Sequence, residues 1–552
     1  MRQFFFICVA IFLFSCKNPN SEKDNLKEIS PENSISSNDS ADVDAIAMKD
    51  FREFKVLDSK YINVEDLWAP FNADLEDFTE DQYNSLKSLV LERDIPTLQK
   101  EIREGQLSYE NLVKFYLYRI RKFDRENDMS LNSVIALNPN IISEARQKDR
   151  ELLNRKLKPP IFGMPILLKD NIDVAGMPTT AGAVALRNNI ANDAFIVKQL
   201  KDKGALILGK TNLSEWAYYF CGDCPSGYSA IGGQTLNPYG RRIMDTGGSS
   251  SGSGVAVAAN FCVAAVGTET SGSILSPSSQ NSVVGLKPTV GLLSRSGIVP
   301  ISSTLDTPGP MTKNVTDNAI MLDAMFGEDK NDGKSIYAIW ESGFYLNSLE
   351  ESSVQGKRFG AFKRLMKDTL YVNAIAILKQ QGAEIVEIEG EKVKLPDFER
   401  LLDLDMKKDL PTYLSTCADS TIAITSVQDV IDFNRKDSIN AMPYGQKIFE
   451  GIVADSATLD EFETIKAKLK TNGKLYFDTP MKANKLDGIL SINNYHAGFA
   501  AVAEYPAITV PMGYTEKGEP EGLTFIGTRL QEKLLLQWAY VYEQASKMRQ
   551  PP

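Results

Sequence analysis

A chain with many serines and one histidine has few hydrolytic devices open to it. His496 is the only imidazole in the sequence, so a Ser-His-Asp arrangement has to use it, whereas a serine activated by lysine needs no histidine at all. Glycine and serine are dense from residue 245 to residue 310. Within that stretch Gly248-Ser249-Ser250-Ser251-Gly252 fits the G-x-S-x-G elbow, and His496 lies downstream of it. The fit is formal. An elbow follows a buried strand directly, and the preceding Asn237-Pro238-Tyr239-Gly240-Arg241-Arg242 is polar, carries Pro and Gly, and cannot be a central strand. A phosphate loop needs Gly-Lys-Ser/Thr at its end, and Gly252-Ser253-Gly254-Val255 has no lysine. Cys221-Gly222-Asp223-Cys224 has redox or metal spacing but no second pair to complete a zinc site, which leaves a loop disulfide or two bystander thiols.

Three further segments gain their meaning together. They are Gly163-Met164-Pro165-Ile166-Leu167-Leu168-Lys169-Asp170-Asn171, Gly247-Gly248-Ser249-Ser250, and Gly267-Thr268-Glu269-Thr270-Ser271-Gly272-Ser273-Ile274. Val284-Gly285-Leu286-Lys287-Pro288-Thr289 and Leu305-Asp306-Thr307-Pro308-Gly309-Pro310 follow them. From about Ile95 to Met548 the chain thereby resembles the amidase-signature family of serine hydrolases. The resemblance implies hydrolysis of linear carboxamides through an acyl-serine intermediate by a Ser-Ser-Lys triad. Carried over residue by residue, Lys169 falls on the base, Ser249 on a bridging serine within a cis peptide, and Ser273 on the nucleophile. The backbone N–H groups of Thr270, Ser271, Gly272 and Ser273 fall on the oxyanion site, Ser250 on a group bonding the lysine, and Glu269 on a supporting carboxylate. No metal, nucleotide or other cofactor is implied.

The chemistry is sound on physical grounds alone. A lysine in water stays protonated at neutral pH, but burial disfavours the ammonium and lowers its pKa, and the apolar approach Ile166-Leu167-Leu168 supplies that burial for Lys169. Neutral Lys169 draws a proton from Ser249, which draws one from Ser273, and the reversed relay protonates the departing amine. The tight turn Thr270-Ser271-Gly272-Ser273 can aim successive N–H groups at one developing negative oxygen.

Two positions depart from the pattern: Ser271 stands where many members carry Gly, and Leu275 where many carry Arg, which leaves Glu269 without that arginine. Gly232-Gly233-Gln234-Thr235, Ser276-Pro277-Ser278-Ser279-Gln280-Asn281 and Met442-Pro443-Tyr444-Gly445-Gln446 look most like the peptide-amidase branch, so C-terminal peptide amides enter as expected substrates. An ester hydrolase with the same relay and a noncatalytic binding protein are the alternatives. A transamidation subunit shares these motifs, but it works with ATP, tRNA and partner subunits in the cytoplasm, against the export signal described below.

The elements that must hold these residues belong to an α/β protein. The fold expected from the resemblance is a large mixed β-sheet core covered by helices on both faces. Residues 161–169 and 205–209 read as short apolar strands ending in polar loops, where catalytic groups of α/β proteins commonly sit. Residues 255–259 and 262–266 read as helix then strand, 354–362, 383–388 and 507–512 as strands, and 530–547 as a closing helix. Thr79-Glu80-Asp81-Gln82 forms a capping box with Phe78 able to staple onto Tyr83, and a second helix begins at Ser108. Trp216, Tyr218 and Tyr219 follow a strand end and either line the acyl side of a pocket or pack in the core. Asp170 and Asn171 fix the lysine loop or cap a turn, and His496 reads as a pocket-wall or hydrogen-bonded structural residue.

With 552 residues and 43% hydrophobic content the chain can fill a large core. A net charge of -11 without dense basic runs argues against nucleic acid, leaving a small-molecule or peptide amide substrate and no obligate protein partner. Arg2 followed by the short apolar run to Phe14 reads as an export signal over 1–15, and Leu13-Phe14-Ser15-Cys16 resembles a lipoprotein box in which Cys16 takes the lipid. The expected division is therefore 1–15 signal peptide, 16–50 disordered tether, 51–90 N-terminal arm and helix, and 91–548 catalytic domain, in the bacterial cell envelope and held at the membrane through Cys16.

Overall fold

The computed structural model describes residues 52–125, 129–154, 157–337 and 341–552. The expected signal peptide, Cys16 and the tether lie outside the described residues. No helix among the described residues is long and apolar enough to cross a membrane.

In chain order the strands are β1 (Val134–Leu137), β2 (Pro165–Lys169), β3 (Leu206–Thr211), the short pair β4 (Tyr228–Ser229) and β5 (Gly233–Gln234), β6 (Ala264–Glu269), β7 (Val284–Lys287), β8 (Thr307–Thr312), β9 (Arg358–Phe362), β10 (Glu384–Ile388), β11 (Gly488–Ile492), β12 (Ala507–Tyr514) and β13 (Pro520–Ile526). Eleven of them form one mixed sheet in the order β1-β3-β2-β6-β8-β7-β12-β13-β11-β9-β10. Successive side chains of a strand point to opposite faces. Every residue of β2, β3, β6, β7, β8 and β11 is buried, so both faces of the central sheet are covered. The edge strand β10 is different: its Glu384 and Glu387 are exposed, which blunts the edge against pairing with another chain.

The N-terminal helices form as their caps dictate. Thr79 accepts from the Gln82 N–H while the Gln82 side chain accepts from the Thr79 N–H, opening the helix Glu80–Val90. Ser108 caps Tyr109–Phe123 by accepting from the Asn111 N–H. Trp68, Phe71, Phe78 and Tyr83 of the arm belong to the same apolar core as the sheet residues Ile166, Val266 and Ile508. A second, smaller core joins Trp216 and Phe220 to Val430, Phe449 and Ile452 of a later helical section. That section includes the helices Phe398–Thr416, Val427–Lys436, Lys447–Ala454 and Leu459–Asn484.

Candidate active site

β2 runs parallel to both β3 and β6, with Leu168 opposite Val266, and ends at Lys169. The preceding Ile166, Leu167 and Leu168 are fully buried, and so is Lys169. Burial pulls the lysine amine from its ordinary 10.5 down to about 7, against the opposing pull of the Asp306 and then the Glu269 carboxylates. Its Nζ lies 2.8 Å from Ser249 Oγ, 2.9 Å from Thr268 Oγ1 and 3.2 Å from the Thr268 carbonyl oxygen. Asn171 Nδ2 donates to the same Thr268 hydroxyl at 3.0 Å. Asp170 faces away, into a buried ion pair with Lys210 at 3.0 Å and a hydrogen bond from the Thr180 hydroxyl. The two residues that follow the lysine therefore anchor its loop.

Ser249 is fully buried and follows Gly248 through a cis peptide bond. Its carbonyl accepts from the Ser214 N–H at 3.1 Å. The next N–H, that of Ser250, donates to the Ser273 carbonyl at 3.2 Å, which ties the two serine loops together. Ser250 does not bond the lysine. Its hydroxyl donates to the Thr268 carbonyl at 3.1 Å and accepts from the Thr268 N–H at 3.2 Å, so it holds Lys169 only by holding Thr268. Glycine at 267 makes this possible, because a Cβ there would stand 2.8 Å from Ser250 Oγ.

Ser273 is half-buried, unlike the two groups behind it. It closes a turn in which Gly272 has φ +86°, a conformation natural to glycine. Among the described residues, none accepts a hydrogen bond from the N–H of Thr270, Ser271, Gly272 or Ser273. The turn is fastened at both ends. Thr270 Oγ1 donates to Asp306 Oδ1 at 2.6 Å, and Glu269 Oε2 accepts from the Ile274 and Leu275 N–H groups at 2.8 and 3.0 Å. Burial pushes the Asp306 carboxyl up to about 6, opposed by the Thr270 hydrogen bond. The geometry thus offers an amine poised near neutrality, a hydroxyl against it, an accessible hydroxyl on the adjoining turn, and unused N–H donors around the last.

His496 takes no part in that chain of contacts. Its Nδ1 is 2.5 Å from Ser491 Oγ, its Nε2 2.8 Å from Arg364 Nη2, and its ring stacks on Phe362 at 4.2 Å between centroids. Burial, with the Arg364 charge second, lowers its pKa to about 3, so the ring is neutral. The aromatic trio divides: Trp216 is buried against Phe449, Tyr218 stays 40% exposed, and Tyr219 donates to Asp403 on the helix Phe398–Thr416. Cys221 and Cys224 form a disulfide, and no metal-binding cluster of His, Cys, Asp and Glu occurs among the described residues.

Two site groups escaped the sequence. Thr268 lies inside a quoted motif, yet only the parallel pairing of β2 with β6 reveals that it faces the lysine. Asp306 also lies in a quoted segment, but nothing local says that it meets Thr270.

The family model for amidases matches residues 111–470. The peptide amidase from Stenotrophomonas maltophilia is 38% identical with a TM-score of 0.79, over 84% of this chain and 98% of that one. An amidase family protein from Bacillus anthracis is 38% identical with a TM-score of 0.86, over 91% of this chain and 99% of that one. A probable amidase of Arabidopsis thaliana is 36% identical over 482 residues, 84% of this chain and 92% of its own length.

Proposed function

Because the chain belongs to the amidase family, we propose that it hydrolyses linear carboxamides, C-terminal peptide amides among them, with Ser273 as nucleophile, Ser249 as proton bridge and Lys169 as base. One observation carries this reading: the buried Lys169 amine lies against the Ser249 hydroxyl, and the Ser249 loop is tied to the Ser273 turn by the Ser250 N–H donating to the Ser273 carbonyl. A neutral amine has two N–H bonds and one lone pair. The carbonyl and hydroxyl oxygens of Thr268, at 3.2 and 2.9 Å, take the two N–H bonds. The lone pair is left for the Ser249 hydroxyl at 2.8 Å.

In this mechanism Ser249 passes its proton to Lys169 while taking the proton of Ser273, whose oxygen bonds to the amide carbon. The carbonyl oxygen becomes negative and is met by the unused N–H groups of residues 270–273. The proton then returns by the same route to the amide nitrogen, the C–N bond breaks, and the amine leaves. Water repeats the sequence in place of Ser273, releases the acid and restores the serine. The peptide-amide class is supported by the likeness to the S. maltophilia peptide amidase.

The proposal extends to export and lipid attachment at Cys16, which rest on the sequence alone. The deciding experiment for the mechanism is reaction of the folded protein with a fluorophosphonate and mapping of the adduct, alongside turnover of peptide, fatty and aryl amides. An adduct on Ser273 that is lost in Lys169→Ala supports the mechanism, and an unlabelled folded protein with no amide turnover sinks it.

A further inference from the structure

Two buried groups beside the nucleophile turn have no hydrogen-bond partner among the described residues: Glu269 Oε1 and Lys287 Nζ. Both residues are 1% exposed. The sheet brings them to one face. Ala265 of β6 and Gly285 of β7 both pair with Met311 of β8 and so share a face. Glu269 and Lys287 each follow those residues by an even number of positions and point the same way. The helix Leu275–Gln280 lies on that face, because a Cβ at Gly285 would meet Ser278.

Glu269 already has a task. Its other oxygen binds the N–H groups of the two residues that follow Ser273, which closes the turn and leaves the preceding N–H groups free. A carboxylate that does this while buried needs a counter-charge. Leu275 cannot supply one, since its apolar side chain is packed in the core. Lys287, on the same face across β8, is the candidate: burial disfavours its ammonium, and of the carboxylates that oppose this Glu269 acts most strongly, ahead of Glu532 and Glu504, although the two side chains form no direct ion pair. Glu532 is committed elsewhere, its Oε1 accepting from the Thr289 N–H at 2.6 Å.

We propose that Lys287 is a positioning residue for the nucleophile, its ammonium supplying from across β8, without a direct ion pair, the counter-charge of the Glu269 carboxylate that clasps the Thr270–Ser273 turn. The proposal rests on Ser273 being the nucleophile and reaches the chemistry only through Glu269.

Its test is the rate at which a fluorophosphonate captures Ser273 in Lys287→Met, Glu269→Gln and the double variant, each checked for folding by circular dichroism. Each single change is expected to slow capture roughly a hundredfold, the scale of a disordered oxyanion site. The double variant should be no slower than the slower single, since both remove one clasp. Lys287→Arg should recover part of the rate, which a merely space-filling lysine would not require. A folded Lys287→Met that captures within about threefold of the parent, or a double variant whose loss is the product of the singles, overturns the proposal. Should the methionine variant fail to fold, Lys287→Gln is judged by the same limits. If the parent protein takes no label on Ser273, the nucleophile assignment falls and this proposal with it. Normal labelling of both the parent and the lysine variants sinks this proposal alone.

Discussion

Replacing Lys169 with methionine should stabilise the protein in a way that depends on pH with a known slope. The amine titrates at about 7 in the folded enzyme and at its ordinary 10.5 once unfolding returns it to water. Between those values the unfolded chain holds one more proton than the folded one, so wild-type stability rises with pH by about 1.4 kcal/mol per unit. Over the whole window this amounts to about 5 kcal/mol: the lysine's contribution is complete above 10.5 and lost as pH falls through 7. Methionine exchanges no proton. The stability of Lys169→Met relative to the parent is therefore greatest below pH 7 and declines at that slope toward pH 10.5. Loss of the bonds to Ser249 and Thr268 shifts the whole difference by about 1–3 kcal/mol for each buried group left unpaired, but adds no slope. Other lysines titrate alike in both proteins and cancel. The assay is urea unfolding of parent and variant at unit intervals from pH 6 to pH 10. A difference that stays flat from pH 7 to pH 9 would mean a folded-state amine that is still protonated there, and such an amine could not serve as the base.

The same amine sets the activity profile: kcat/KM should fall tenfold per unit below about pH 7, and Asp306→Asn should move that limb to lower pH, because the Asp306 carboxylate favours the ammonium. An unmoved limb in a folded Asp306→Asn would refute the electrostatic account. Thr268→Val removes an acceptor from both Lys169 and Asn171 and should lower kcat by roughly tenfold to a hundredfold with KM little changed. His496→Asn should stay within about an order of magnitude of parental turnover, since the ring contacts Ser491, Arg364 and Phe362 rather than either serine of the relay; a folded but dead variant would return histidine to the mechanism. Mass spectrometry of the mature N-terminus should find an acylated Cys16, and a free or retained leader would remove the membrane assignment.

The residues of the proposed relay could be singled out because each sits in a short local string that resembles a family motif. The strands that deliver them were legible too: Ile166 to Leu168 and Leu206 to Leu208 are apolar runs ended by a polar turn. The middle of the sheet was not. The end of the Gly- and Ser-dense stretch, up to Pro310, reads as a loop, yet residues 307–312 form the interior strand β8. It pairs with β6 along its whole length but with β7 only at Met311 and Thr312, so the proline half needs ladder donors toward one neighbour alone. Long-range partnerships were equally hidden. Nothing local announces that Lys287 shares a face with Glu269 across an intervening strand, or that Ser250 reaches Lys169 only through Thr268. A single histidine could be set aside as catalyst from the sequence, but its stacking on Phe362 could not be foreseen, because the two residues meet only when β9 and β11 pair.

Lys169 and Ser249 are sealed from water while Ser273 is not. In the proposed mechanism a hydrogen ion stored on the amine during acylation thus has a single exit, through the two hydroxyls toward the bound substrate. Bulk buffer cannot drain it or refill it while the acyl group stands in the doorway. Leaving-group departure and water attack must then share one reservoir of one proton, and turnover should be insensitive to buffer concentration at fixed pH.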